Sequence, residues 1–107
     1  MTTYDQGDLV LILFPFASGA GAKQRPSLVV FDAGDNDIIV ASITTQPRSS
    51  PFDVPILMWQ PAGLLAPSTA RLYKLATLEK ALVRRKLGRL EKSDWDAAAR
   101  TIRHVFH

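Results

Sequence analysis

KQRPSLVVFDAGDNDIIVASITTQ, residues Lys23 to Gln46, is the stretch whose reading decides the fold. Two runs rich in Val, Ile and Thr, Ser27 to Asp32 and Asp37 to Thr44, flank a turn around Gly34. Such residues favour the pleated, half-buried surface of a sheet, and runs of this length bounded by turn residues read as strands. Upstream, Asp8 to Phe14 is a further apolar run stopped by Pro15, and Ala17 to Ala22 is small and Gly-rich, hence a flexible loop. Downstream, Pro47 to Pro51 reads as a polar loop. Phe52 to Leu57 reads as an edge strand, since Pro51 and Pro55 flank or interrupt it. Pro61 to Pro67 is a turn region, and Ser68 to Leu75 alternates weakly as a fifth strand. Leu78 to Val83 predicts one helical turn before a basic strand near Arg84 to Leu87, with Gly88 breaking the pattern. The last segment predicts an amphipathic helix. Ser93 suits its N-cap, Asp96 completes a capping box, and Asp94 and Asp96 suit the positive end of the helix dipole. Trp95, Ala98, Ala99, Ile102, Val105 and Phe106 share one face. Many short strands and a closing helix predict a mainly β domain with a C-terminal helix, its sheet strongly bent or rolled into a small barrel.

At 107 residues the chain suits one domain, 1–107. Cysteine is absent, which removes disulfides, thiolate nucleophiles and cysteine metal sites together. No run approaches the roughly 20 apolar residues of a membrane helix, and Asp5 and Asp8 stand where a signal peptide has basic and apolar residues. A cytoplasmic protein with no membrane association is expected. The formal charge is +3, unevenly distributed. From Met1 to Asp53, Lys23, Arg25 and Arg48 face six aspartates; from Arg71 to Arg103, ten basic residues face four acids. A basic C-terminal half suggests an anionic partner, nucleic acid or acidic peptide, although a solvated charged face reads the same way.

The common catalytic signatures are missing: there is no G-x-S-x-G, no H-E-x-x-H and no phosphate-binding glycine loop. SGAGAK, Ser18 to Lys23, has the wrong spacing for the last of these and reads as loop. His104 and His107 fit a frayed helix end better than a metal site, and Asp35 and Asp37 fit a turn better than a magnesium site. No cluster of Asp, Glu and His has convincing ligand spacing, so neither metal nor cofactor is expected. One polar constellation remains. Arg25 precedes Pro26 at the start of an apolar strand, and Thr44, Thr45 and Gln46 end another. Neighbouring strand ends can bring them to one rim, where an arginine fork matches phosphate oxygens and a threonine hydroxyl orients a reacting oxygen. The alternative is that Arg25 pairs with a surface acid and Thr44 merely ends its strand.

At these residues the chain resembles the MazF/PemK toxin family. GDLVLILFPF (Gly7 to Phe16) is similar to the family's first strand, KQRPSLVV (Lys23 to Val30) to its Arg-Pro loop-to-strand signature, and ASITTQ (Ala41 to Gln46) to its third-strand motif. Ala62 to Leu90 is similar to the later strands and short helix of a PemK-like branch. The likeness covers nearly the whole chain, with its motifs in order. It implies a homodimer of SH3-like barrels, the fold shared by PemK, MazF and CcdB toxins, acting as a metal-independent, sequence-specific endoribonuclease on single-stranded RNA. It carries catalytic roles onto Arg25 and Thr44 and, from the Kid/PemK branch, onto Arg71. That branch's catalytic aspartate falls at Tyr73 here, and its first-loop histidine has no counterpart in Ala17 to Ala22. Lys23, Thr45, Gln46, Ser68 and Lys74 are expected to contact the RNA.

RNA carries its own nucleophile, the 2′-hydroxyl. The protein must then supply in-line positioning and charge stabilisation, and the products are a 2′,3′-cyclic phosphate and a 5′-hydroxyl. Arg25 suits the phosphorane oxygens, and Thr44 a non-bridging oxygen or the nucleophile. Arg71 suits a second clamp or, through a water, the leaving oxygen. The resemblance also implies a cognate antitoxin whose acidic, disordered tail competes with RNA for a basic face of Arg71, Lys74, Arg84, Arg85, Lys86 and Arg89. The dimer interface is expected to be apolar, drawn from the later strands and helix. The rival readings are a non-enzymatic gyrase inhibitor similar to CcdB and a catalytically silent barrel that binds RNA or peptide.

Overall fold

The computed structural model describes residues 2–15 and 22–107. The elements are β1 (Asp8–Pro15), β2 (Ala22–Asp32), β3 (Asp37–Thr44), β4 (Asp53–Ile56), β5 (Ser68–Glu79), β6 (Val83–Arg89) and α1 (Lys92–Val105). A single 3-10 turn, Lys80–Leu82, joins β5 to β6. The strands form one antiparallel sheet in the order β4-β5-β3-β2-β1-β6. This is the mainly β fold with a C-terminal helix that the sequence predicts.

The ladder of strand hydrogen bonds does not close, and β4 and β6 remain its edges. The sheet nonetheless curls until the loop after β4 meets β6. A methyl group at Gly88 would stand 2.1 Å from the carbonyl oxygen of Ala62, and one at Gly63 would stand 2.2 Å from that of Leu87. Two backbones therefore touch where a barrel would have paired strands, and only glycine permits the approach. The result is barrel-like, with a packed seam in place of a bonded one.

Both faces of the central strands are buried. Leu9, Leu28, Val30, Ala41, Ile43 and Leu72 belong to one cluster, completed by Val54, Ile56, Leu64, Leu90 and Ala98. Their chain neighbours Val10, Val29 and Val40, with Ile12 and Ile38, belong to a second, packed by Tyr4, Leu78, Leu82 and Val83. Successive strand residues point to opposite faces, so a sheet covered on both needs unbroken apolar runs. This accounts for LVLI, LVV and IIVA.

Several boundaries differ from the sequence reading. The Gly-rich loop expected at Ala17 to Ala22 lies mostly outside the described residues. β2 begins before Ser27: Lys23, Gln24, Arg25 and Pro26 already pair with Phe14, Leu13, Ile12 and Leu11. The helix begins at Lys92 with Glu91 in the cap position and no side-chain cap, so Ser93 is not the N-cap. Asp94 caps nothing locally, because its buried carboxylate accepts the backbone N–H groups of Leu57 and Met58 at 3.1 and 2.8 Å. Asp96 pairs with Lys92. On the helix, Trp95, Ala97, Ala98 and Ile102 pack on the core, whereas Phe106 is exposed. β5 also departs from simple pairing. Ala41 of β3 faces Leu75 but Ser42 faces Arg71, so Leu72, Tyr73 and Lys74 bulge from the ladder.

Candidate functional site

β5, β3 and β2 are neighbours in the sheet, and one end of them opens into a cleft of about 450 Å³. β2 contributes Lys23, Gln24, Arg25 and Pro26, and β3 contributes Ser42, Ile43 and Thr44. The following loop adds Thr45, Gln46 and Arg48, and β5 adds Arg71 and Lys74. The lining holds five cationic side chains and no carboxylate. A concave site lined by one sign of charge raises the local concentration of anions, and its forked and ammonium donors suit phosphate. The bulge in β5 has a local purpose here, since a bulge re-aims side chains that regular pairing would send elsewhere. Arg71 at its start and Lys74 at its end both reach the cleft.

Arg71 is held before any ligand arrives. Its Nε donates to Asp53 Oδ1 at 3.0 Å, and its Nη2 donates to the Tyr73 hydroxyl at 2.6 Å. The Asp53 side chain is 1% exposed, and its segment is tied through Ser50, whose N–H donates to Asp53 Oδ2. Burial alone would raise the Asp53 pKa. The Ser50 and Arg71 hydrogen bonds and the Arg71 charge outweigh it, so the carboxyl stays below its ordinary value. Thr44 Oγ1 accepts the Gln46 N–H at 3.1 Å, which leaves the hydroxyl proton for another acceptor. Gln46 Oε1 in turn accepts from Arg48 Nη2 at 2.8 Å.

The cleft gathers Arg25, Thr44 and Arg71, and with them Lys23, Thr45, Gln46 and Lys74. Ser68 is not among them. It is buried, donates to the Ala66 carbonyl, and lines a separate groove that meets the cleft only at Thr45 and Gln46. Arg48 and Asp53 were not singled out by sequence. Arg48 stands two residues beyond Gln46, and its charge was the available signal; Asp53 gave none, because its partner is 18 residues away. The expected face of six basic residues is divided. Arg71 and Lys74 line the cleft, whereas Lys86 and Arg89 on β6 pair with buried Asp8 at 3.1 Å each. Asp35 accepts the Asp37 N–H in a turn, and His104 is exposed near the end of α1. Among the described residues no group of three or more His, Asp or Glu could hold a metal ion, and no helix is long and apolar enough to cross a membrane.

With this geometry in view, likeness to known proteins becomes specific. Residues 5–106 match the model of the PemK-like, MazF-like toxins of type II toxin–antitoxin systems, and the chain belongs to that family. No curated protein matches the sequence. Among solved structures, the Mycobacterium tuberculosis toxin MazF-mt6 is 25% identical, with a TM-score of 0.72 over 91% of this chain and 95% of that one. A MazE–MazF structure from Deinococcus radiodurans superposes at a TM-score of 0.81 with 17% identity, covering 99% and 97% of the two chains. A mycobacterial endoribonuclease in complex with its cognate antitoxin gives 0.74 at 19%, covering 94% and 92%. The latter two likenesses speak to the fold.

Proposed function

We propose that the chain is an endoribonuclease toxin that cuts single-stranded RNA in the basic cleft, without a metal, and that an antitoxin restrains it. The observation that carries this reading is the acid-free convergence of Lys23, Arg25, Arg48, Arg71 and Lys74 around Thr44. It is supported by family membership and by the endoribonuclease and antitoxin named for similar structures. The floor is built for a sugar-phosphate backbone. Arg25 clamps the two non-bridging oxygens as charge develops on them, Arg71 adds a second, pre-set clamp, and Thr44 donates its free proton to one of the same oxygens. The 2′-hydroxyl attacks in line and the 5′-oxygen leaves, giving a 2′,3′-cyclic phosphate and a 5′-hydroxyl. Lys23, Thr45, Gln46, Arg48 and Lys74 hold the flanking nucleotides.

The same charges suit the acidic tail of an antitoxin, which presents carboxylates where phosphates sit. Within the cytoplasm, a homodimer covers apolar side chains of the later half, where Leu57, Met58 and Leu65 are exposed. The test is a long single-stranded RNA incubated with the protein in EDTA, with the ends then mapped. Cyclic phosphate and 5′-hydroxyl ends are expected. Strict dependence on Mg²⁺ with 5′-phosphate ends overturns the mechanism, and binding without cleavage favours a silent RNA-binding barrel.

A further inference from the structure

We propose that Tyr73 is the proton donor to the leaving 5′-oxygen, an inference that rests on the reading of the cleft as an RNA-cleaving site. The Tyr73 hydroxyl oxygen accepts from Arg71 Nη2 at 2.6 Å. A phenol that accepts in this way still has its own proton to give. Arg71 Nε is already committed to Asp53, so the guanidinium offers the cleft its remaining N–H groups. Tyr73 stands beside the cleft and not in its lining, and Arg71 links its hydroxyl to the cleft.

The surroundings suit a proton leaving that oxygen. Arg71 Cζ lies 5.2 Å and Lys74 Nζ 6.0 Å from the centre of the ring. Negative charge left on the phenol oxygen therefore appears beside the Arg71 guanidinium that already donates to it. The ring is placed by the edge of Phe52, with centroids 6.0 Å apart, yet Tyr73 remains 44% exposed. The hydroxyl is thus both fixed and reachable, the two properties that a general acid needs.

The step balances without a co-reactant. The 2′-oxygen bonds to phosphorus, and the bond from phosphorus to the 5′-oxygen breaks. That oxygen takes the Tyr73 proton, the 2′-hydroxyl proton passes to water, and the phenolate regains a proton from water. The sum is a transesterification that consumes no water and leaves two RNA ends.

Tyr73→Phe keeps the ring against Phe52 and removes only the hydroxyl, and its circular dichroism spectrum should match the parent's. For ordinary RNA its kcat should fall about a hundredfold or more, with KM little changed. For an RNA whose scissile 5′-oxygen is replaced by sulfur, a leaving group that needs no proton, the variant should cleave at close to the parent rate. Tyr73→His, which retains a donor, should recover part of the activity on ordinary RNA. An unimpaired Tyr73→Phe overturns the proposal, and so does an equal loss on both substrates, which marks a positioning residue. A parent protein that cleaves neither RNA removes the reading beneath it, and the proposal with it.

Discussion

Arg25 and Arg71 carry the same charge but are installed differently. Arg25 sits in a strand opposite Ile12 and lines the cleft, whereas Arg71 arrives already hydrogen-bonded on two sides. Arg25→Ala should fold normally by circular dichroism and lose RNA cleavage by about a hundredfold or more, the usual cost of one charge-stabilising donor. Arg25→Lys should also fail, because a point charge cannot replace a planar fork. Asp53→Asn tests the positioning of Arg71. Removing one charge of a buried pair leaves the other uncompensated, and chemical denaturation should show a loss on the order of 3 kcal/mol. Its kcat should fall while RNA affinity falls less, since the cation is still present but no longer aimed. Arg25 and Thr44 were legible as rim residues because arginine beside proline and threonine at a strand end are visible along the chain, whereas Arg71 was reached only through the family resemblance. Asp53 was not, since its role exists only once β4 lies against β5.

At the scale of elements, the apolar runs disclosed the strands because both faces of the sheet are covered. Their ends were less visible. Lys23 to Pro26 looks like loop by composition, yet it is strand because β1 pairs with it. The helix start was misread for a related reason. The capping preference at Ser93 is worth about 1 kcal/mol, and tertiary bonds from Asp94 to Leu57 and Met58 outweigh it. Ser93→Ala should therefore change stability by less than about 0.5 kcal/mol. Asp94→Ala strands two backbone donors and should cost roughly 2–5 kcal/mol in urea unfolding. A more stable Asp94→Ala than Ser93→Ala would contradict the observed docking of α1. Gly88→Ala tests the seam: an added methyl meets backbone, which cannot swing aside, and a loss of about 1–3 kcal/mol or more is expected.

Over the whole molecule, the charge map by chain halves proved a poor guide to the binding surface. The cleft takes Lys23, Arg25 and Arg48 from the acidic half and only Arg71 and Lys74 from the basic one, because strand order, not chain order, decides what meets. RNA affinity should fall as salt rises, with a log–log slope of about −3 if most of the five cations meet phosphates. Asp8, Asp32 and Asp53 share a further property. Burial opposes ionisation in each, and hydrogen bonds and nearby cations overcome it, so all three lie below the ordinary carboxylate value of 3.8. Depressed folded values mean that stability is intact above that value and is lost as pH falls through the lowered ones. Thermal unfolding across pH 2 to 6, by order of magnitude of the usual carboxylate range, should show a plateau and then a steep acid loss. Asp32→Asn should flatten part of that loss, since Lys80 is its buried partner at 2.9 Å.

The pairing of β1 with β6 sets Asp8 opposite Arg89. During synthesis, at roughly 5–20 residues per second, the first strand must wait for nearly the whole chain before its second edge is covered. Until then a run of Leu, Val and Ile presents open backbone groups to anything nearby. A ribosome that stalls before Val83, or a transcript broken there, therefore releases a chain with a bare strand edge. Such a fragment is a candidate for clearance by chaperones and proteases, not a smaller version of the finished protein.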